Sequence, residues 1–217
     1  VFVMEVSKSA KGPQIIVSRN HPGLVKRLFE LEVPEVLDGI VEIRSVSREA
    51  GDRSKIAVWS KDEKVDCVGA CVGMRGQRVK NIVRELQGEK IDIVRWGDNV
   101  SEFVRAALSP AECILIQVES QEEKRVTVVV EDAQLSLKKS KNGQNVRLAS
   151  QLTGWQIDIM TESQESERRQ REFTERTALF QEALDVDEVI AQLLVTEGFA
   201  TVEDLAYVDA YEVSEIE

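Results

Sequence analysis

Gly73-Met74-Arg75-Gly76 sets an arginine between two glycines at the mouth of a helix-like run, a combination suited to holding an anion. A glycine at each end permits positive φ and removes the Cβ that would keep a ligand away. The first N–H groups of the following helix point into the gap, where the helix dipole favours negative charge. The arginine adds a charge-assisted hydrogen bond, so the loop suits a sugar-phosphate backbone. Ser140-Lys141-Asn142-Gly143 holds the corresponding place later in the chain, with its leading glycine replaced. Ser140 can cap the next helix through its hydroxyl, but its Cβ hinders close backbone approach. Lys138, Lys139, Lys141 and Arg147 nevertheless keep that region positive. Other reactive residues support less. Cys67 and Cys71 lie four apart with no second pair nearby, which reads as buried structure rather than a metal site. His21 is the only histidine, sits beside Pro22 and is read as structural. No Walker loop, nucleophile elbow, HExxH or paired-carboxylate pattern supports catalysis.

The elements that position the two loops follow from periodicity and breakers. Residues 1–20 alternate on both sides of a Lys-Ser-Ala-Lys-Gly turn and predict a hairpin. Two strands do not form a stable domain alone, and the chain opens on Val1 already in a strand pattern. The expectation is an excised piece of a longer protein, beginning with the last hairpin of a β-barrel. Leu24, Leu28 and Leu31 then recur at helical spacing between Pro22 and Pro34, and a hairpin turning at Gly51-Asp52 follows. Two helices flank the first loop, the second stopping at Gly88, and "EKIDIVRW" is a strand. The same design recurs. "GQRVKNIVRELQGEKIDI" returns as "GQNVRLASQLTGWQIDI" with one residue lost in the helix, pairing Gly76 with Gly143, Val79 with Val146, Leu86 with Leu152 and Gly88 with Gly154. Each copy reads helix, strand, strand, helix, helix, strand, so the chain carries two copies of one α+β unit. Only Gly97 and Asp98 separate Trp96 from the next helix, too little linker for independent motion of the copies. Trp96 and Trp155 border the last strands and read as packing residues.

Charge divides the chain unevenly. The formal net charge is −11, yet residues 1–161 carry 24 Lys and Arg against 23 Asp and Glu, while residues 162–217 carry 4 against 16. The acidic end repels a phosphate backbone and suits a protein surface or solvent. Val189, Leu193 and Leu194, then Phe199, Val202 and Leu205 beyond Gly198, give that end enough apolar residues at helical spacing to fold. Three cysteines in no paired pattern imply a reducing compartment, hence the cytoplasm. No apolar run approaches the length of a membrane span.

Gly73 to Gly76 between two helices resembles the GXXG loop of KH domains, which clamps about four nucleotides of single-stranded RNA. The order of elements is that of the type II variety. "GPQIIVSR", "HPGLVKRLFELEVPEV", "VGACVGMRGQRV", "ALSPAE", "GQNVRLASQLTGWQIDI" and "LLVTEGFATVEDLAYV" together resemble the NusA family of transcription termination/antitermination factors over essentially the whole chain. The resemblance implies tandem type II KH domains, each a three-stranded mixed sheet with helices on one face. It divides the chain into the C-terminal hairpin of an S1-like barrel at 1–20, a first KH domain at 21–96, a second at 97–161, and a linker helix with a truncated acidic helix-hairpin-helix-like module at 162–217. It assigns RNA contact to Gly73, Met74, Arg75, Gly76, Arg78 and Lys80 in the first copy. In the second copy it assigns Lys139, Ser140, Lys141, Asn142, Gly143, Asn145 and Arg147. The implied partners are nascent single-stranded RNA, RNA polymerase mainly through an absent N-terminal domain, and other Nus-type factors. No membrane, cofactor or catalysis is implied, and the chain is expected to act as a monomer. The alternative is a KH-containing RNA-processing or ribosome-associated protein. A phosphorolytic exonuclease places KH before S1, and a ribosomal KH protein usually has one unit and a strongly basic surface.

Overall fold

The computed structural model describes residues 1–9, 12–135 and 143–207. Strands β1 (Phe2–Ser9) and β2 (Gly12–Ser18) pair antiparallel, with a register shift between Val3 and Glu5. Both faces of this ribbon keep apolar side chains in solvent, among them Val3, Met4, Val6, Ile15 and Ile16.

Helix α1 (Pro22–Glu32) starts where His21 accepts a hydrogen bond on Nδ1 from the Gly23 N–H at 3.0 Å. Phe2 stacks on the imidazole at 4.4 Å, so the single histidine is a helix cap, as its position implied. Pro22 is tolerated in the first turn and Pro34 ends the helix, because neither position needs an intrahelical N–H. A one-turn helix, α2 (Pro34–Leu37), follows and was not foreseen. The unit continues with β3 (Val41–Glu49), β4 (Arg53–Ser60), α3 (Cys67–Val72), a 3₁₀ turn (Met74–Gly76), α4 (Gln77–Glu85) and β5 (Lys90–Arg95). The sheet order is β3-β4-β5; β3 and β4 are antiparallel, and β4 runs parallel to β5 with Ile56 opposite Ile93. Leu24, Phe29, Ile56, Val58, Cys71 and Ile82 form the core between this sheet and its helices.

The second unit repeats the plan with α5 (Val100–Leu108), β6 (Leu115–Ser120), β7 (Arg125–Val130), a 3₁₀ turn (Asp132–Leu135), α6 (Gln144–Thr153) and β8 (Gln156–Thr161). Its sheet order is β6-β7-β8. The helix expected before the second loop lies outside the described residues.

Each unit's own helices lie on one face of its sheet, as expected, and in the first unit the opposite face is covered as well. Ala57 and Val94 belong to the core of Phe103, Val104, Leu108, Val128, Leu148 and Leu152, so the second unit's helices cover the first sheet's other face. Ser45 Oγ donates to the Leu152 carbonyl at 2.9 Å and Ser47 Oγ to Gln151 Oε1 at 3.0 Å. Burial on both faces explains why β4 is enclosed continuously from Ser54 to Val58. Lys55 is wholly enclosed, donating to Asp92 at 2.9 Å and to the Ser109 carbonyl at 3.2 Å. Burial pushes the Lys55 ammonium down. Burial pulls Asp92 upward, but the hydrogen bonds from Arg53 and Lys55 hold its carboxyl below the usual range. The shared core makes residues 1–159 one compact unit, consistent with the short linker.

The remaining residues form a second unit of helices: α7 (Glu162–Leu184), α8 (Glu188–Thr196) and α9 (Val202–Ala206). Thr161 and Gln164 form a reciprocal capping box, with bonds of 3.2 and 3.1 Å, and Asp187 and Thr201 cap the other two helices. Phe180, Ala191 and Leu194 make the core, with Phe199, Val202 and Leu205 packed on it. Val189, expected to contribute, is 74% exposed; Ala191, two positions on and on the opposite side of the turn, takes the inward place. Among the described residues no helix is long and apolar enough to cross a membrane.

Candidate nucleic-acid interface

Helix α3 ends because Gly73 adopts φ 73°, ψ 173°, while its N–H still bonds the Gly69 carbonyl at 2.9 Å. Arg75 (φ 54°) and Gly76 (φ 74°) are both left-handed. Three of four loop residues therefore have positive φ, which folds the chain tightly enough to start α4 at once. Met74 is 85% exposed at the tip. Among the described residues the Arg75 side chain has no hydrogen-bond or ion-pair partner, which leaves its guanidinium available to an anion.

Arg78 behaves differently from Arg75. Its Nη1 donates to the Ala70 carbonyl and to Glu35 Oε2 at 2.9 Å, and its stem lies beneath Gly73, where a Cβ would meet Arg78 Cγ at 2.7 Å. Arg78 thus props the loop from below, joining it to α3 and α2. Lys80 braces it from the other side, donating to the Arg75 carbonyl at 3.2 Å. These two residues position the loop, whereas Arg75 faces outward.

In the second copy Lys139, Ser140, Lys141 and Asn142 lie outside the described residues. Gly143 is left-handed at φ 74° and precedes α6 as Gly76 precedes α4. Asn145, expected at the RNA surface, is 9% exposed and donates to the Leu108 carbonyl at 2.6 Å. The correction has a clear cause: Asn145 aligns with Arg78, and both tie the start of the helix back into their own unit. Arg147, also expected at the RNA surface, pairs with Glu49 of the first unit at 2.8 Å.

Cys67 and Cys71 are buried, and burial pushes the Cys71 thiol up to about 12, so it stays protonated and inert. Among the described residues no cluster of His, Cys, Asp and Glu could hold a metal. Trp96 and Trp155 pack on the shared core as expected. Trp96 also meets Trp59 edge to face at 6.3 Å, with the Arg44 guanidinium 4.3 Å from the Trp59 ring centre. Asp66, at the head of α3, pairs with Arg95 at the end of β5 across 2.9 Å. Gly69 makes room for that carboxylate, since a Cβ there would collide with Asp66 Oδ2. Sequence reasoning missed these contacts, because no local spacing links residues brought together by the sheet.

The helix-strand-strand-helix-loop-helix-strand plan, the mixed sheet and the glycine loop define tandem KH domains of type II. Residues 19–96 match the NusA-like first KH domain and residues 100–167 the NusA-like second KH domain. The chain belongs to the NusA family. It is 51% identical over 208 residues to the transcription termination/antitermination protein NusA of Rickettsia conorii, covering 94% of this chain and 41% of that protein. It is 60% identical over 163 residues to the Bacillus subtilis protein of that name, covering 75% and 44%. For the Halalkalibacterium halodurans protein of the same name the identity is 58% over 166 residues, covering 76% and 43%. The chain thus spans less than half the length of the curated relatives it matches.

Proposed function

We propose that this chain is the RNA-gripping part of a bacterial transcription elongation factor, holding nascent single-stranded RNA during pausing, termination and antitermination. The observation that carries this reading is the first loop, with its left-handed Arg75 and Gly76 and a guanidinium that has no partner among the described residues. A phosphate seats against the loop and the start of α4, while unstacked bases lie in the cleft between α3 and the edge of β5. Ile91 and Ile93, half-buried on that edge strand, give the cleft an apolar floor. The shared core holds the two KH units in one alignment, so a single strand crosses both without reorienting them.

The remaining assignments belong to the same proposal. Residues 1–20 form the last hairpin of an S1-like barrel, whose other strands cover the exposed valines and isoleucines; residues 21–96 and 97–161 are the two KH domains; residues 162–217 are a linker helix and an acidic module. RNA polymerase is contacted mainly by sequence that this chain does not span. The acidic module, with 11 Asp and Glu and no Lys or Arg after residue 176, docks a basic protein surface, other Nus-type factors included. The protein acts in the cytoplasm as a monomer, without cofactor or catalysis.

The test is a fluorescence titration of single-stranded RNA with loop variants. Arg75→Ala is expected to cost about fivefold to tenfold in affinity, and Lys141→Ala less, because only Arg75 is flanked by two glycines that let the backbone share its phosphate. Equal losses, or a larger loss at Lys141, would show that Ser140 leaves the second clamp intact. No measurable RNA binding by the unaltered chain would end the reading altogether.

A further inference from the structure

The two copies differ most where each loop hands over to its helix. In the first, among the described residues, Gln77 bonds its own helix neighbour Asn81 at 3.0 Å, and Lys80 bonds the loop. The aligned residues of the second, Gln144 and Arg147, are both engaged by carboxylates from the β3–β4 turn of the first unit. Gln144 Nε2 donates to Glu49 Oε2 at 2.6 Å and to Asp52 Oδ2 at 2.8 Å, and Arg147 Nη2 to Glu49 Oε1 at 2.8 Å. Gln144 is 6% exposed, whereas the Arg147 and Glu49 side chains are 49% and 35% exposed, so the contact is closed at Gln144 and open to solvent at Arg147.

Resting on the RNA-binding reading above, we infer that Glu49, assisted by Asp52, decides which copy grips the RNA backbone. The two carboxylates hold the polar groups of α6 as phosphate oxygens would, and they place negative charge where the strand must pass. The hydrogen bonds from Gln144 and Arg147 hold the Glu49 carboxyl below the usual range, so the blocking charge persists through neutral pH. Among the described residues the first copy has no such partner, and it takes the phosphate. The alignment of the units does not depend on these bonds, because Ala57 and Val94 in the shared core and the Ser45, Ser47 and Lys55 contacts remain.

The experiment uses the full chain and a mixed-sequence single-stranded RNA of about twelve nucleotides, long enough to cross two KH units. Affinity is measured across a salt series for the unaltered chain, E49Q, D52N and Gly76→Asp, with melting curves for each. E49Q keeps the size of the side chain, removes its charge and exchanges one accepting oxygen for an amide donor. It is expected to bind about threefold tighter or better. Its plot of log affinity against log salt should steepen by about 0.7, the increment for one added phosphate contact on a single strand. D52N should move the same way by less, and R147M added to E49Q should cancel the gain. Unchanged affinity and slope in both single variants would overturn the inference. So would weaker binding, since it would mean that the carboxylates serve only to align the units. Failure of the RNA-binding reading is distinguishable: there the unaltered chain itself does not bind, or Gly76→Asp makes no difference.

Discussion

Gly76→Asp is expected to weaken RNA binding about tenfold to a hundredfold while the protein stays folded. A carboxylate at this position meets the incoming phosphate directly, and like charges set against each other in an interface cost several kcal/mol. The fold tolerates the change: the nearest atoms to a Cβ at Gly76 are Lys80 Cε at 3.8 Å and Val79 Cγ1 at 3.9 Å. Its φ of 74° and ψ of 18° are left-handed values that aspartate adopts for a modest cost. Gly73→Asp differs, although the sequence treats the two glycines alike. With φ 73° and ψ 173°, Gly73 sits in a region essentially reserved for glycine, and its Cβ would press into the Arg78 stem that supports the loop. Gly73→Asp should therefore lower the melting temperature as well as the affinity, and Gly76→Asp chiefly the affinity. RNA titrations paired with melting curves check both. Full affinity in a folded Gly76→Asp protein would remove the loop from the site.

The second large effect concerns stability. Glu89 is 1% exposed and accepts four hydrogen bonds: from Arg48 Nε and Nη2 at 2.8 Å each, from Ser54 Oγ at 2.6 Å and from the Gly51 N–H at 2.9 Å. Arg48 also donates to the carbonyls of Arg19 and His21, at 2.8 and 3.0 Å, so one buried pair joins the exit of the first hairpin to the KH sheet. Glu89→Ala leaves the guanidinium enclosed without its partner, and losing one member of a buried pair costs about 3–5 kcal/mol. Urea unfolding followed by tryptophan fluorescence reads this directly, because Trp59, Trp96 and Trp155 all lie within residues 1–159. A loss below about 1 kcal/mol would mean that water reaches Arg48.

The same pair predicts how stability depends on pH. Burial pushes the Glu89 carboxyl up, but the bonds from Arg48, Ser54 and Gly51 outweigh it and hold the group below the ordinary 4.5. A depressed folded-state pKa means the unfolded chain takes up the proton first. The stabilisation is complete above the ordinary value and is lost as pH falls through the lower folded one. Asp92 and Glu165 shift in the same direction. The chain should lose stability steeply below about pH 4.5, and Glu89→Gln should flatten that slope. An unchanged acid slope in that variant would assign the sensitivity to the other carboxylates.

Much of this protein is written locally. Alternation marks the hairpins, apolar spacing marks α1, α4, α5 and α6, and the prolines and glycines mark their ends, because these signals act through the dihedrals and nearest neighbours of single residues. The repeat of "GQ" and "IDI" segments reports two copies of one unit for the same reason: each copy must satisfy the same local packing. The glycine loop is legible too, since positive φ selects glycine whatever surrounds it.

Long-range pairing decided the rest. Arg75, Arg78 and Arg147 are alike as letters, yet one faces solvent, one props the loop against Ala70 and Glu35, and one is paired with Glu49 from the other unit. Asn145 and Lys55 are polar residues that local rules leave at the surface, yet Asn145 is bound to Leu108 within its own unit and Lys55 is covered where one unit packs on the other. By itself the sequence determined the elements, their duplication and the loop able to take a phosphate. Only the tertiary structure decided which cations remain available for that task, because availability depends on partners that local spacing does not encode.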